Sequence, residues 1–135
     1  MPDAGERGPQ VDATEELYRA IHTPDWWEAE ATPPRPRSAA FRKRKFSVNI
    51  AREIGLDGAI RHLRDVLNSP HGAIVSFGCS QARELGFDAR REPDENYPDN
   101  KAHANVYYDG STSDLKRSAK QLACEYCQTV HEPSF

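Results

Sequence analysis

Long apolar runs are missing from this chain: no window approaches the ~18 consecutive apolar residues that a membrane-spanning helix needs. The opening residues MPDAGERGPQ also lack the basic-then-apolar pattern of a secretory signal, so the reading is a cytoplasmic chain without a membrane partner. Cysteine is scarce and odd in number, three in 135 residues, which argues for free thiols or a metal site before a disulfide framework. A dominant charge is absent too. Lys and Arg total 18 against 21 Asp and Glu, a net charge of −3, so there is no global polycation for nucleic acid. The chain holds no GxGxxG, GxxxxGK[ST], HExxH or EF-hand pattern, which removes the common phosphate-cradling and metal-binding loops.

What remains reads as one α+β domain with a small, mostly antiparallel sheet packed against two main amphipathic helices. Residues 1–11 are polar and rich in helix breakers, the signature of a flexible tail, and 12–135 form the domain. Asp12-Ala-Thr-Glu15 has capping-box spacing, and Leu17, Tyr18 and Ile21 follow at helical intervals, so local signals favour a helix; a short strand, Leu17 to Ile21, is the competing reading. From 22 to 38, Pro24, Pro33, Pro34 and Pro36 break the pattern and predict an extended segment. Alternation predicts strands at Phe46–Ile50 and His103–Tyr108, and a short apolar run closed by Gly78 predicts a buried strand at Ala73–Phe77. Asp57 can cap a helix carrying Ile60, Leu63, Val66 and Leu67 on one stripe. Ser80 opens a short helix closed by Gly86, and Ser113 can cap a last helix with Leu115, Ala119, Leu122, Ala123 and Tyr126 on one side, running to just before Pro133. The stretch 88–101, DARREPDENYPDNK, holds five acidic residues and two prolines and reads as a solvated acidic loop.

Four groups of side chains could carry chemistry or contacts. Cys124-Glu-Tyr-Cys127 is a CxxC, and with His131 and the distant Cys79 it could supply four zinc donors; within a helix, packing is the plainer role. Arg42-Lys-Arg-Lys45 places four cations between Phe41 and Phe46, suited to phosphate oxygens and stacked bases, or simply to a solvated edge that resists aggregation. Trp26 and Trp27 lie in the proline-rich segment, either pinning it to the domain or anchoring a partner. His103 opens a strand after a polar loop, where an imidazole can move protons near neutral pH.

Ser47-Val-Asn49, Ala82-Arg-Glu-Leu-Gly86 and Ala102-His-Ala104 form a pattern that resembles small uncharacterised bacterial proteins, over about half the chain. Tyr18-Arg-Ala-Ile21 and Phe46-Ser-Val-Asn-Ile50 are similar, in kind and order, to the first two strands of ADP-ribosyltransferases. That resemblance implies NAD, with Arg19 holding a pyrophosphate and Ser47 bonding the nicotinamide side. It requires Leu17 to Ile21 to be a strand, and the family's late catalytic glutamate in an ExE setting is not found.

No complete catalytic constellation appears, so the first reading is a small binding or accessory module of unknown partner, contacting protein or nucleic acid through Arg42 to Lys45. The alternatives are an NAD-using transferase or glycohydrolase with Arg19, Ser47 and His103 in one cleft, and a zinc-stabilised domain. Convergence of those three residues on one concave pocket would favour the enzyme.

Overall fold

The computed structural model describes residues 7–135. Six strands hydrogen-bond into one antiparallel sheet: β1 (Glu16–Ile21), β4 (Lys45–Ile50), β5 (Ala73–Gly78), β6 (Phe87–Arg91), β7 (His103–Tyr108) and β8 (Gln128–His131), in the order β6-β7-β4-β1-β5-β8. A separate two-stranded hairpin, β2 (Trp27–Glu28) with β3 (Arg35–Pro36), organises the proline-rich segment. Three helices complete the domain: α1 (Ala51–Arg61), α2 (Cys79–Glu84) and α3 (Thr112–Gln121). The α+β reading with two main helices holds.

Strand alternation sorts the side chains onto two faces. Leu17 and Ile21 of β1, Phe46, Val48 and Ile50 of β4, and Ala104 and Val106 of β7 join the larger core with Leu115, Ala119 and Leu122 of the α3 region. Edge-to-face rings tie that core together: Phe41 meets Phe46 at 5.7 Å and Phe77 at 5.9 Å, and Phe87 meets Tyr108 at 5.0 Å between centroids. The opposite face carries a smaller cluster, in which Ile74 packs with Ala59 and Leu63 of the α1 region and with Tyr18 and Ala20 of β1. Helix α1 therefore roofs one face and α3 the other.

Gly55, at φ 70°, breaks α1, so the amphipathic part starts beyond it, near the expected Asp57. The helix then runs on through a widened turn to Val66 and stops at Asn68, whose φ of 52° suits a helix-ending asparagine.

Several expectations are corrected. Leu17 to Ile21 is a strand, not a helix, because β1 pairs with β5 through six successive residue pairs. Asp12 and Glu15 form a turn ahead of it: the Glu15 amide donates to the Asp12 carbonyl, and the Glu15 carboxylate pairs with Arg52 at 2.5 Å. The acidic loop is shorter than 88–101, since 88–91 belong to β6 with Ala89 buried. The last helix ends at Tyr126 and gives way to β8, and its N-cap is Ser111, whose hydroxyl accepts the Asp114 amide at 3.1 Å, in place of Ser113. Of the expected tail, 1–6 lie outside the described residues. Residues 7–11 lie along β6: the Val11 amide donates to the Ala89 carbonyl at 3.0 Å, the Arg91 amide to the Pro9 carbonyl at 2.8 Å, and Val11 is buried.

Candidate functional site

The sheet face under α1 is polar along one line. Tyr18 of β1 stands opposite Asn49 of β4 on one side and Ser76 of β5 on the other; Asn49 stands opposite His103 of β7, and Ser76 opposite Gln128 of β8. Five polar side chains thus cross five strands in register, where packing alone would favour apolar ones. The sequence prepares this row by alternation: in Ser47-Val-Asn49 and His103-Ala-Asn105-Val-Tyr107 the apolar partners turn to the core and the polar ones to this face.

The β1–β4 ladder holds only two pairs, Leu17 with Ile50 and Tyr18 with Asn49, and then opens. Arg19 braces the opening. Its Nη1 donates to the Ser47 carbonyl at 3.0 Å, and Nε and Nη2 donate to the Ala40 carbonyl at 3.2 and 3.1 Å. The guanidinium lies 4.9 Å from the Trp26 ring centre and 5.0 Å from that of Phe46. Burial without a carboxylate partner pushes its pKa down to about 10.

Where the strands part, a cavity of about 260 Å³ opens between the sheet, the end of the α1 region and the loop before β7. Arg19, Ser47 and His103 all line it, with Tyr18, His22, Asn49, His62, Asp94 and Tyr97 among the other walls. A shallower groove of about 520 Å³ adjoins it and shares His62, Asn96 and Tyr97.

His103 is the most constrained of these groups, 5% exposed. Its Nδ1 lies 2.8 Å from the Glu92 carbonyl, which can only accept, so Nδ1 is the donor and the tautomer this contact selects has its lone pair at Nε2. Nε2 is buried and has no hydrogen-bond partner, with the nearest carboxylate oxygen, from Asp94, at 3.9 Å. An unpaired buried acceptor in a cavity is costly unless something supplies it with a donor. His62 stands in the same cavity, its ring edge-on to Tyr97 at 6.0 Å. Burial pushes its pKa down, with His103 adding to that and Asp94 opposing it. His22 is likewise pushed down, by burial first and then by Arg19 and Lys43. The arrangement can take a proton from a bound hydroxyl or water at His103 and offers Ser47, Asn49 and Tyr18 as orienting polar groups.

The other candidates fall elsewhere. Arg42, Lys43, Arg44 and Lys45 are exposed, but Arg44 is committed to the fold: it donates to the carbonyls of Tyr108 and Gly110 and, at 3.3 Å, to the Thr112 hydroxyl. Lys43 stands over the Trp26 ring at 5.3 Å. Trp27 is buried in the main core and Trp26 packs against it, so the pair pins the proline-rich segment. Cys79 is buried with Sγ 3.7 Å from the Val11 carbonyl, Cys124 is exposed, Cys127 is half-buried, and His131 lies on edge strand β8. No grouping of three or more His, Cys, Asp or Glu suited to a metal occurs among the described residues. Burial pushes the Cys79 and Cys127 thiols up, which disfavours the thiolate a metal or redox role needs.

Sequence reasoning missed His62, Asp94, Tyr18 and Asn49 as site residues. Only the alternation that placed Asn49 on the face of Ser47 could have signalled one of them. No family model, curated protein or solved structure matches this chain.

Proposed function

We propose that this chain is an enzyme acting on a small polar substrate of the NAD kind, as a glycohydrolase or transferase, in the cavity between Ser47, His62, Asp94 and His103. The observation that carries the reading is that Arg19, Ser47 and His103 line one cavity, with His103 Nε2 bare of partners inside it. The strand at Leu17 to Ile21, which the ADP-ribosyltransferase resemblance requires, is present as β1.

In this reading water, or an acceptor hydroxyl, sits against His103. As its oxygen bonds to the ribose carbon, the bond from that carbon to the nicotinamide nitrogen breaks, nicotinamide leaves with the electron pair, and the proton passes to Nε2. Ser47 orients the nicotinamide side. Arg19 serves less as a fork than as a fixed positive charge: three of its donor bonds go to the carbonyls of Ala40 and Ser47, so its action on a pyrophosphate is through the field in a poorly solvated wall. The cavity, below the ~300 Å³ of typical ligand sites, takes one end of a dinucleotide. The groove beyond His62 and Tyr97 leaves room for the rest. Asp94 is the acid nearest His103, and it stands on a loop rather than in an ExE strand.

The test is a titration of the chain with NAD at millimolar concentration, read by amide chemical shifts and melting temperature, followed by assay for released nicotinamide. Shifts at Tyr18, Ser47 and His103 support the reading, and no shift at any of them overturns it. A second reading, a module that contacts an acidic partner through the basic segment, is favoured by exposed Arg42, Lys43 and Lys45 with Lys43 beside Trp26. Joint alanine substitution of those three residues tests it, since unchanged partner capture would end that reading.

A further inference from the structure

The lone pair that His103 offers to the cavity exists only because its other nitrogen is held, and the holder is a loop residue that is itself clamped. Glu92 follows β6 directly, and its carbonyl takes the His103 Nδ1 proton at 2.8 Å. Its carboxylate is fixed from three sides: the Tyr107 hydroxyl at 2.5 Å, the Asn105 amide at 3.0 Å and the Gly8 backbone amide at 2.9 Å. Two of those donors sit on β7, on the same face as His103, and the third belongs to the segment paired along β6. Arg7 completes the clamp. Its guanidinium lies 4.0 Å from the Tyr107 ring centre and bridges Asp88 at 3.1 Å and Asp109 at 2.6 Å.

We propose that Glu92 is a positioning residue: its clamped carboxylate fixes the carbonyl that keeps His103 in the Nδ1-protonated form, and the segment before β1 takes part through Gly8 and Arg7. The inference deepens the enzyme reading, since a proton acceptor at Nε2 is useful only in that form. It stands on its own geometry as well, because free imidazole in water has no such constraint and samples both forms. A carboxylate that ties its loop residue to β7 and to the segment along β6, next to a cavity histidine with one nitrogen held and the other bare, has a consequence beyond stability.

The experiment needs no substrate. In protein with 15N-labelled histidine, two-bond proton–nitrogen correlations report which His103 nitrogen carries hydrogen. In the native chain Nδ1 is the protonated one. In Glu92→Ala the carbonyl is released, and the His103 signals move toward the mixed pattern of free imidazole; Glu92→Gln, which keeps the one oxygen shared by Tyr107 and Asn105 and gives up only the acceptor for Gly8, restores most of the native pattern. If Glu92→Ala does not fold, Tyr107→Phe decides, because it removes one donor and shifts the pattern part of the way. A native pattern in folded Glu92→Ala, or no shift in Tyr107→Phe when Glu92→Ala fails to fold, overturns the proposal. With a working assay, kcat falls roughly tenfold in Glu92→Ala, less than the ~10²–10⁴ of a whole acid–base contribution because the imidazole itself is kept, while KM changes little. A changed nitrogen pattern in a chain that does not respond to NAD would sink the substrate reading and leave the positioning of His103 intact.

Discussion

Arg19→Lys probes the bracing of the open β1–β4 seam. The residue is 8% exposed, takes part in none of the ion pairs among the described residues, and spends its donors on two backbone carbonyls, that of Ser47 in β4 beside the opened ladder and that of Ala40 in the turn before β4. Lysine keeps the cost of burying a charge and loses the fork. A single ammonium cannot serve the Ala40 and Ser47 carbonyls in their two directions, so one is left buried without a donor, at about 1–3 kcal/mol. Weaker contact with the Trp26 and Phe46 rings adds about 0.5–1 kcal/mol. The expected loss is about 2–4 kcal/mol. At this chain length each kcal/mol is worth roughly 3–5 °C, so melting falls by about 10 °C. Urea unfolding followed by tryptophan fluorescence gives the free energy directly, and Trp26 reports the local environment. A loss below about 1 kcal/mol would refute the claim that the guanidinium holds the seam, because it would mean that the two carbonyls find other donors.

Other consequences are as direct. His103→Gln should abolish nicotinamide release while melting shifts by only a few degrees, and retained turnover would remove His103 from the proton-transfer role. Stability should fall as pH drops below about 6.5: His22 and His62 have folded pKa values below the ordinary one, so the unfolded chain takes up protons that the folded chain refuses. Urea midpoints at pH 7.5 and 5.5 check this, and equal midpoints contradict it. Phe41→Ala, which empties a fully buried ring site, should cost about 3–5 kcal/mol by the same unfolding assay. With a thiol reagent, Cys124 should react first, Cys127 slowly and Cys79 only on unfolding; three equal rates would contradict the burial that pushes the last two thiols up.

The central strands were legible where side-chain pattern and burial agree. His103–Tyr108 alternates as a strand with one core face, and Ala73–Phe77 is apolar but for Ser76 because β5 is buried on both sides. Strand β1 was not, since Asp12 and Glu15 mimic a capping box while the pairing that makes the strand comes from β5, more than fifty residues away. Strands β6 and β8 escaped for the opposite reason: Asp88, Arg90 and Arg91 make β6 read as loop, and its ladder with β7 on one side and residues 9–11 on the other holds it extended. The site was half visible. His103 stood out as a residue type, and Arg19 and Ser47 through the ADP-ribosyltransferase resemblance, whereas His62 and Asp94 reach the cavity from a helix end and a loop whose placement no local pattern encodes.

The most direct test of the central claim is the amide and imidazole spectrum of the native chain during titration with NAD. Saturable shifts at His103, Ser47 and Tyr18, with His62 and Tyr97 following, are the predicted result. Shifts confined to Lys43 and its neighbours, or none at millimolar ligand, would contradict the assignment of the cavity as the substrate site.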